Sequence, residues 1–129
     1  MQLDENPLLF GMVVRDVDKI LDFYLNSLGM EVGWTEPMDE GGMKHYLRFD
    51  GGVLKIFAPD KTPEKTRKDI LGYAGYRMIT FMVTNIDELA KSLKERNARI
   101  IVPIQDAGSV KWMLVLDPEG NCIEFAQRA

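Results

Sequence analysis

Of the two side chains that most often hold transition metals or form cross-links, the 129-residue chain contains a single cysteine, Cys122, and a single histidine, His45. One thiol excludes an intramolecular disulfide and any multi-cysteine zinc cage, and it fits a reducing compartment. Long apolar runs are lacking too, since no stretch approaches the roughly 18 residues of a membrane-spanning helix. The start, Met1-Gln2-Leu3-Asp4-Glu5-Asn6-Pro7, has neither the basic opening nor the apolar stretch of a signal peptide. Cytoplasmic residence with no membrane partner is the expectation. There is also no excess of positive charge: 16 Lys and Arg are scattered among 20 Asp and Glu, for a net charge of −4. That pattern excludes the basic footprint of a nucleic-acid binder. The hydrophobic fraction of 46% and charged fraction of 28% are those of a chain that can bury a core, so disorder is excluded as well.

What is present is a run of short elements. Leu8 to Val14 is apolar and rich in strand formers, which predicts a buried strand. Asp16 then stands where a carboxylate can accept from the free N–H groups of a helix's first turn. Val17, Ile20, Leu21, Tyr24 and Leu28 form the apolar stripe behind it, and Gly29 is placed to end the helix in a left-handed conformation. Met30 to Trp34 and Lys44 to Phe49 read as strands separated by an acidic, glycine-containing loop; Asp50-Gly51-Gly52 signals a hairpin into a fourth strand, Val53 to Phe57. Asp60 to Gly75 is polar and reads as a linker carrying at most a short helix.

The same order then returns. Arg77 to Thr84 is a strand, Asn85 can cap a helix whose stripe is Ile86, Leu89 and Leu93, and Arg99 to Pro103, Val110 to Leu116 and Cys122 to Ala126 are three more strands. Val14-Arg15-Asp16-Val17-Asp18 lies over Val83-Thr84-Asn85-Ile86-Asp87 (83 − 14 = 69), and Phe49-Asp50 lies over Leu116-Asp117 (116 − 49 = 67). The reading is one α+β domain of two βαβββ modules, about 7–58 and 76–127, with a linker at about 59–75. Each half is too small to bury both faces of its strands, which predicts a mixed sheet curved like a half-barrel, with the modules pairing within one chain or across a homodimer.

The stretches Val13-Val14-Arg15-Asp16-Val17, Phe23-Tyr24 and Leu28-Gly29-Met30, the run Val83 to Leu89, and Leu116-Asp117-Pro118-Glu119-Gly120-Asn121-Cys122-Ile123-Glu124-Phe125 together resemble the vicinal-oxygen-chelate superfamily. That group holds glyoxalase I, bleomycin-resistance proteins and extradiol dioxygenases. The resemblance implies two histidines near the starts of the module-opening strands, and two further ligands on later strands, around a divalent ion on the concave face. Glu124 occupies the last ligand position. The other positions hold Leu9 and Met78, where histidines are expected, and Ile56 by the repeat (124 − 68 = 56), or Lys55 if the shorter turn shifts the register by one. None of those three supplies an imidazole or oxygen donor. No cofactor is therefore expected, and a divalent metal is disfavoured.

Two functional readings follow. The first is a metal-independent protein binding a small amphipathic or cationic compound, as the bleomycin-resistance branch does, commonly as a dimer. Its pocket is read as Leu9, Trp34, Ile56, Met78, Trp112 and His45, with Glu124 as the polar anchor. The second is a lyase, isomerase or dioxygenase with Glu124 as base and His45 as acid, or with a relocated metal. An accessory module that signals ligand binding through its dimer is the blander alternative. The face that His45 takes stays open at the level of sequence.

Overall fold

The computed structural model describes residues 1, 2, 4, 8–65 and 74–129. These fall into two compact units, Met1–Thr66 and Arg67–Ala129. Residues 66–73, the middle of the linker expected over Asp60 to Gly75 with at most a short helix, lie outside the described residues.

Unit 1 runs β1 (Leu9–Val13), α1 (Val17–Asp22) continuing into a π-helical turn (Phe23–Ser27), β2 (Glu31–Pro37), β3 (Gly42–Phe49) and β4 (Gly52–Pro59). Its four strands form one open sheet in the order β1-β4-β3-β2, with β1 parallel to β4 and the other pairs antiparallel. Asp16 caps α1 as expected, its Oδ1 accepting from the Lys19 N–H at 3.2 Å. The helix widens at its end, where the Leu28 N–H donates to the Phe23 carbonyl at 3.0 Å, five residues back rather than four. Gly29, at φ +74°, then reverses the chain so that the Met30 N–H reaches the Tyr24 carbonyl. Ile20, Phe23 and Tyr24 are buried from this helix, and Leu47, Leu54 and Ile56 from one face of the sheet.

Unit 2 repeats the plan: β5 (Met78–Met82), α2 (Ile86–Glu95), β6 (Arg99–Asp106), β7 (Val110–Leu116) and β8 (Cys122–Arg128), in the order β5-β8-β7-β6. Ile86 and Leu93 of α2 are buried, as are Met113, Val115, Ile123 and Phe125 on one sheet face. The expected cap is different. Asn85 stands at the N-cap but makes no side-chain cap bond; the Ile86 N–H donates instead to Oε1 of Gln127 on β8, at 2.8 Å. A residue from the sheet thus satisfies the first donor of the helix, and the capping role that local sequence assigns to Asn85 is not taken up.

The turn joining β7 to β8 is built on Asp117, which is fully buried. Its Oδ1 accepts from the Glu119 and Asn121 N–H groups, each at 2.9 Å, and its Oδ2 accepts from the Asn121 amide at 2.7 Å. Gly120, at φ +84°, provides the left-handed residue that the reversal needs.

Candidate functional site

Side chains alternate across a strand, so each sheet has a face buried with its helix and a helix-free face. In unit 1 the pairings put Leu9, Gly11 and Val13 of β1, Val53, Lys55 and Phe57 of β4, and Arg48, Tyr46 and Lys44 of β3 on the helix-free face. Trp34 and Glu36 of β2 join them through contact with Tyr46.

These residues form a connected cluster. The Trp34 and Tyr46 rings stack with centroids 4.3 Å apart and planes 9° from parallel. Glu36 lies beside them, accepting from the Tyr46 hydroxyl at 2.9 Å and the Trp34 indole N–H at 3.3 Å, and pairing with Lys44 Nζ at 3.1 Å. Lys44, followed by Tyr46, holds the Glu36 carboxyl below its usual range, and Glu36 in turn raises the Lys44 ammonium. Burial, then the hydrogen bond to Glu36, pushes the Tyr46 hydroxyl up. The approach of β2 to β3 requires Gly33, because a Cβ there would sit 2.5 Å from the Tyr46 carbonyl oxygen. The remaining cations face aromatic rings: Arg48 lies 5.4 Å from the Trp34 centroid, and Lys55 Nζ lies 5.5 Å from Tyr46 and 5.6 Å from Phe57.

Unit 2 presents Met78, Thr80 and Met82 of β5, Cys122, Glu124 and Ala126 of β8, and Leu116, Leu114 and Trp112 of β7 on the corresponding face. Glu124 Oε1 accepts from the Thr80 hydroxyl at 3.1 Å. Burial, with the Glu124 charge added, pushes the Cys122 thiol up, so that it is a poorer thiolate than a free cysteine. A cleft of about 150 Å³ lies elsewhere, at the end of the sheet between Asp106, Gly108, Lys111 and Arg128.

The pairings make the two faces comparable position by position. Leu9 opposes Val53 as Met78 opposes Cys122 (78 − 9 = 122 − 53 = 69). Lys55 is therefore the counterpart of Glu124 (124 − 55 = 69), and Gly11 of Thr80. Continuing across the sheets, Tyr46 corresponds to Leu114, Lys44 to Trp112 and Glu36 to Gln105. Ile56 is corrected by this register. It is fully buried on the face shared with Leu47 and Leu54, and Lys55 takes the place assigned to it.

His45 is corrected too. It pairs with Ile56 and shares the Ile56 face, where its counterpart in unit 2 is the fully buried Met113. It therefore does not join Lys55 and Tyr46. Leu9 and Met78, 51% and 38% exposed, along with Trp34, Trp112 and Glu124, do lie on helix-free faces. The sequence reading missed Glu36, Lys44, Tyr46 and Arg48, although Trp34-x-Glu36 and Lys44-x-Tyr46-x-Arg48 carry a period-2 signal.

The donor chemistry does not fit the divalent ion that the family resemblance implies. An alkyl group, a thioether, an ammonium and one carboxylate stand at the four positions, and the ammonium has no lone pair and repels a cation. Among the described residues no cluster of three or more His, Cys, Asp or Glu is placed to hold a metal. None of the described helices is long and apolar enough to cross a membrane.

Comparison with known proteins agrees with the architecture. A curated relative, the uncharacterized protein YraH of Bacillus subtilis (strain 168), is 27% identical over 122 residues, covering 88% of this chain and 91% of that protein. A glyoxylase/bleomycin resistance protein/dioxygenase domain from Frankia sp. EAN1pec superposes with a TM-score of 0.82 at 16% identity, covering 99% of this chain and 94% of that one. The trypanothione-dependent glyoxalase I of Leishmania major does so with a TM-score of 0.76 at 22% identity, covering 93% and 84%. The family model described as Glyoxalase/Bleomycin resistance protein/Dioxygenase superfamily matches residues 8–125, and the chain belongs to that superfamily.

Proposed function

We propose that this protein binds a small amphipathic molecule on a helix-free sheet face without the help of a metal ion. The observation that carries this reading is the identity of the side chains at the superfamily's ligand positions. Lys55 stands opposite in charge to its counterpart Glu124, and Leu9 and Met78 stand where imidazoles are needed. Around them the faces offer flat and apolar surface, from Trp34, Phe57, Trp112 and Leu114, with few charged groups to fix orientation. The acid–base alternative loses its acid, because His45 shares a face with core residues. We further propose that the protein is a cytoplasmic homodimer. β1 and β5 are edge strands that expose Leu9, Val13, Met78 and Met82, and exposed apolar edges favour pairing with a second copy.

The test is elemental analysis of protein purified without chelator, with melting curves in the presence of Ni²⁺, Zn²⁺, Mn²⁺ and Fe²⁺. The expected result is no stoichiometric ion and no stabilisation of the size that saturating binding gives, about 2.7 kcal/mol at a hundredfold excess over Kd. A tight ion at one per chain, lost in Glu124→Gln, overturns the reading. Light scattering checks the dimer, with Val13→Lys expected to shift the protein towards monomer.

A further inference from the structure

We infer that the helix-free face of unit 2 is a subsite for a primary ammonium group carried on an aromatic body, with Glu124 and Thr80 holding the ammonium. The inference rests on the metal-independent binding proposed above and deepens it, naming the face and the class of ligand. On unit 1 the corresponding groups are taken up within the protein: Glu36 is held by Lys44, Tyr46 and Trp34, and Arg48 and Lys55 lie against the Trp34 and Tyr46 rings.

Unit 2 places one charge at the centre of an apolar surface. The ladders set its side chains in three rows across β5, β8 and β7: Met78, Cys122 and Leu116, then Thr80, Glu124 and Leu114, then Met82, Ala126 and Trp112. Glu124 stands in the middle, and Thr80 is the one hydroxyl beside it. Oε1 of Glu124 accepts from the Thr80 hydroxyl at 3.1 Å. Among the described residues no Lys or Arg closes an ion pair with this carboxylate, so Oε2 is left without a cation. Arg99, which β6 adds to the first row, stands two strands away. A carboxylate ringed by apolar groups and lacking a counterion favours a cation that supplies one. Access is from the β5 side, where Thr80 is exposed, Met78 and Met82 are 38% and 53% exposed, and Glu124 is half-buried behind them.

The two polar groups select a primary ammonium over other cations. Thr80 gives its proton to Glu124 and keeps its lone pairs, so one ammonium N–H meets Oε2 of Glu124, a second meets Oγ1 of Thr80, and the third points to water. A quaternary ammonium has no N–H and gains only the charge. The body of the ligand lies along the third row, against Met82, whose flexible thioether adapts to a ring edge. Two residues of strand separate the second row from the third, about 7 Å, which suits a two-carbon tether between ammonium and ring. A second copy pairing along β5 engages the free backbone groups of that edge, and side chains stand perpendicular to them, so it flanks this face without filling it.

Isothermal titration with four matched probes tests this: 2-phenylethylammonium, its N,N,N-trimethyl analogue, 2-phenylethanol and 3-phenylpropanoate. The expected order has the primary ammonium about tenfold tighter than the alcohol, the size of one charge-assisted contact, the trimethyl analogue between them, and the propanoate weakest. Glu124→Gln removes about that tenfold for the primary ammonium and leaves the alcohol unchanged. Thr80→Val weakens the primary ammonium and spares the trimethyl analogue, and Met82→Ser, at an exposed position, weakens all four. The inference is overturned if the propanoate binds as tightly as the primary ammonium, if Glu124→Gln leaves the ammonium unaffected, if Thr80→Val weakens both cations equally, or if none of the probes binds at millimolar concentration. Repeating the titration with EDTA separates the two claims. Loss of binding on chelation overturns the metal-independent function, whereas metal-free binding that prefers the propanoate overturns only the ammonium subsite.

Discussion

Units 1 and 2 share element order, strand order and ladder register, yet at equivalent positions their helix-free faces carry opposite chemistry. Unit 1 has Lys55, Tyr46, Lys44 and Glu36 where unit 2 has Glu124, Leu114, Trp112 and Gln105. Apart from His45, which answers to Met113, the buried faces differ far less: Leu54, Ile56 and Leu47 answer to Ile123, Phe125 and Val115. Core positions are held to apolar side chains by packing, whereas the helix-free face can change charge without changing the fold.

The largest expected break in that symmetry lies in the turns. Asp117→Ala leaves buried donors of the β7–β8 turn without their carboxylate and is expected to cost about 3 kcal/mol. Asp50→Ala, in the exposed two-residue turn of unit 1, should stay within about 0.5 kcal/mol; urea denaturation of both variants reads the contrast. Next comes the strand approach peculiar to unit 1. Gly33→Ala forces a Cβ against the Tyr46 carbonyl and should cost about 2 kcal/mol, with a change in near-ultraviolet circular dichroism from the Trp34–Tyr46 stack. The helix caps are smaller. Gln127→Ala and Asp16→Ala should each cost about 1 kcal/mol, while Asn85→Ala, which removes no cap bond, should fall within about 0.5 kcal/mol. Equal losses at positions 85 and 127 would show that Asn85 is the working cap.

The smallest effect is in pH dependence. Glu36 has its carboxyl held below the ordinary value of 4.5, chiefly by Lys44. A depressed folded value stabilises the protein above the unfolded value, and that stability is lost as pH falls through the folded one. Glu36→Gln makes unit 1 resemble unit 2, where Gln105 stands, so its melting temperature should fall less than the parent's between about pH 5 and pH 3. A parallel decline in both proteins would show that the Glu36 pair contributes nothing to acid stability.

Much of this architecture is legible in the sequence because the repeat and the alternation of apolar residues are local signals. Asp16, Gly29 and the Asp117-Pro118-Glu119-Gly120-Asn121 turn declare themselves by chemistry that acts within a few residues. The register of Lys55 and Ile56 is not local. The β3 and β7 strands align at 116 − 48 = 68, and the longer turn of unit 2 restores the offset to 122 − 53 = 69 in the next strand. An average offset therefore lands one residue off, on the wrong face. Gln127 as the cap of α2 is hidden for a similar reason, since it lies 41 residues from Ile86. The Glu36 cluster escapes because β2 continues to Pro37 through residues that composition alone assigns to a loop.

Gly11 and Thr80 face Lys55 and Glu124 from their edge strands, and the pair sets how much side-chain order remains for a ligand to impose. The Thr80 hydroxyl donates to Glu124 Oε1 at 3.1 Å, so a partner of that carboxylate meets a group already held at one oxygen. No side chain at position 11 does this for Lys55, and immobilising a lysine costs about 1–2 kcal/mol of rotamer entropy. The two faces therefore differ in what holds the central charge as well as in its sign: a hydroxyl holds Glu124, whereas Lys55 has the ring faces of Tyr46 and Phe57.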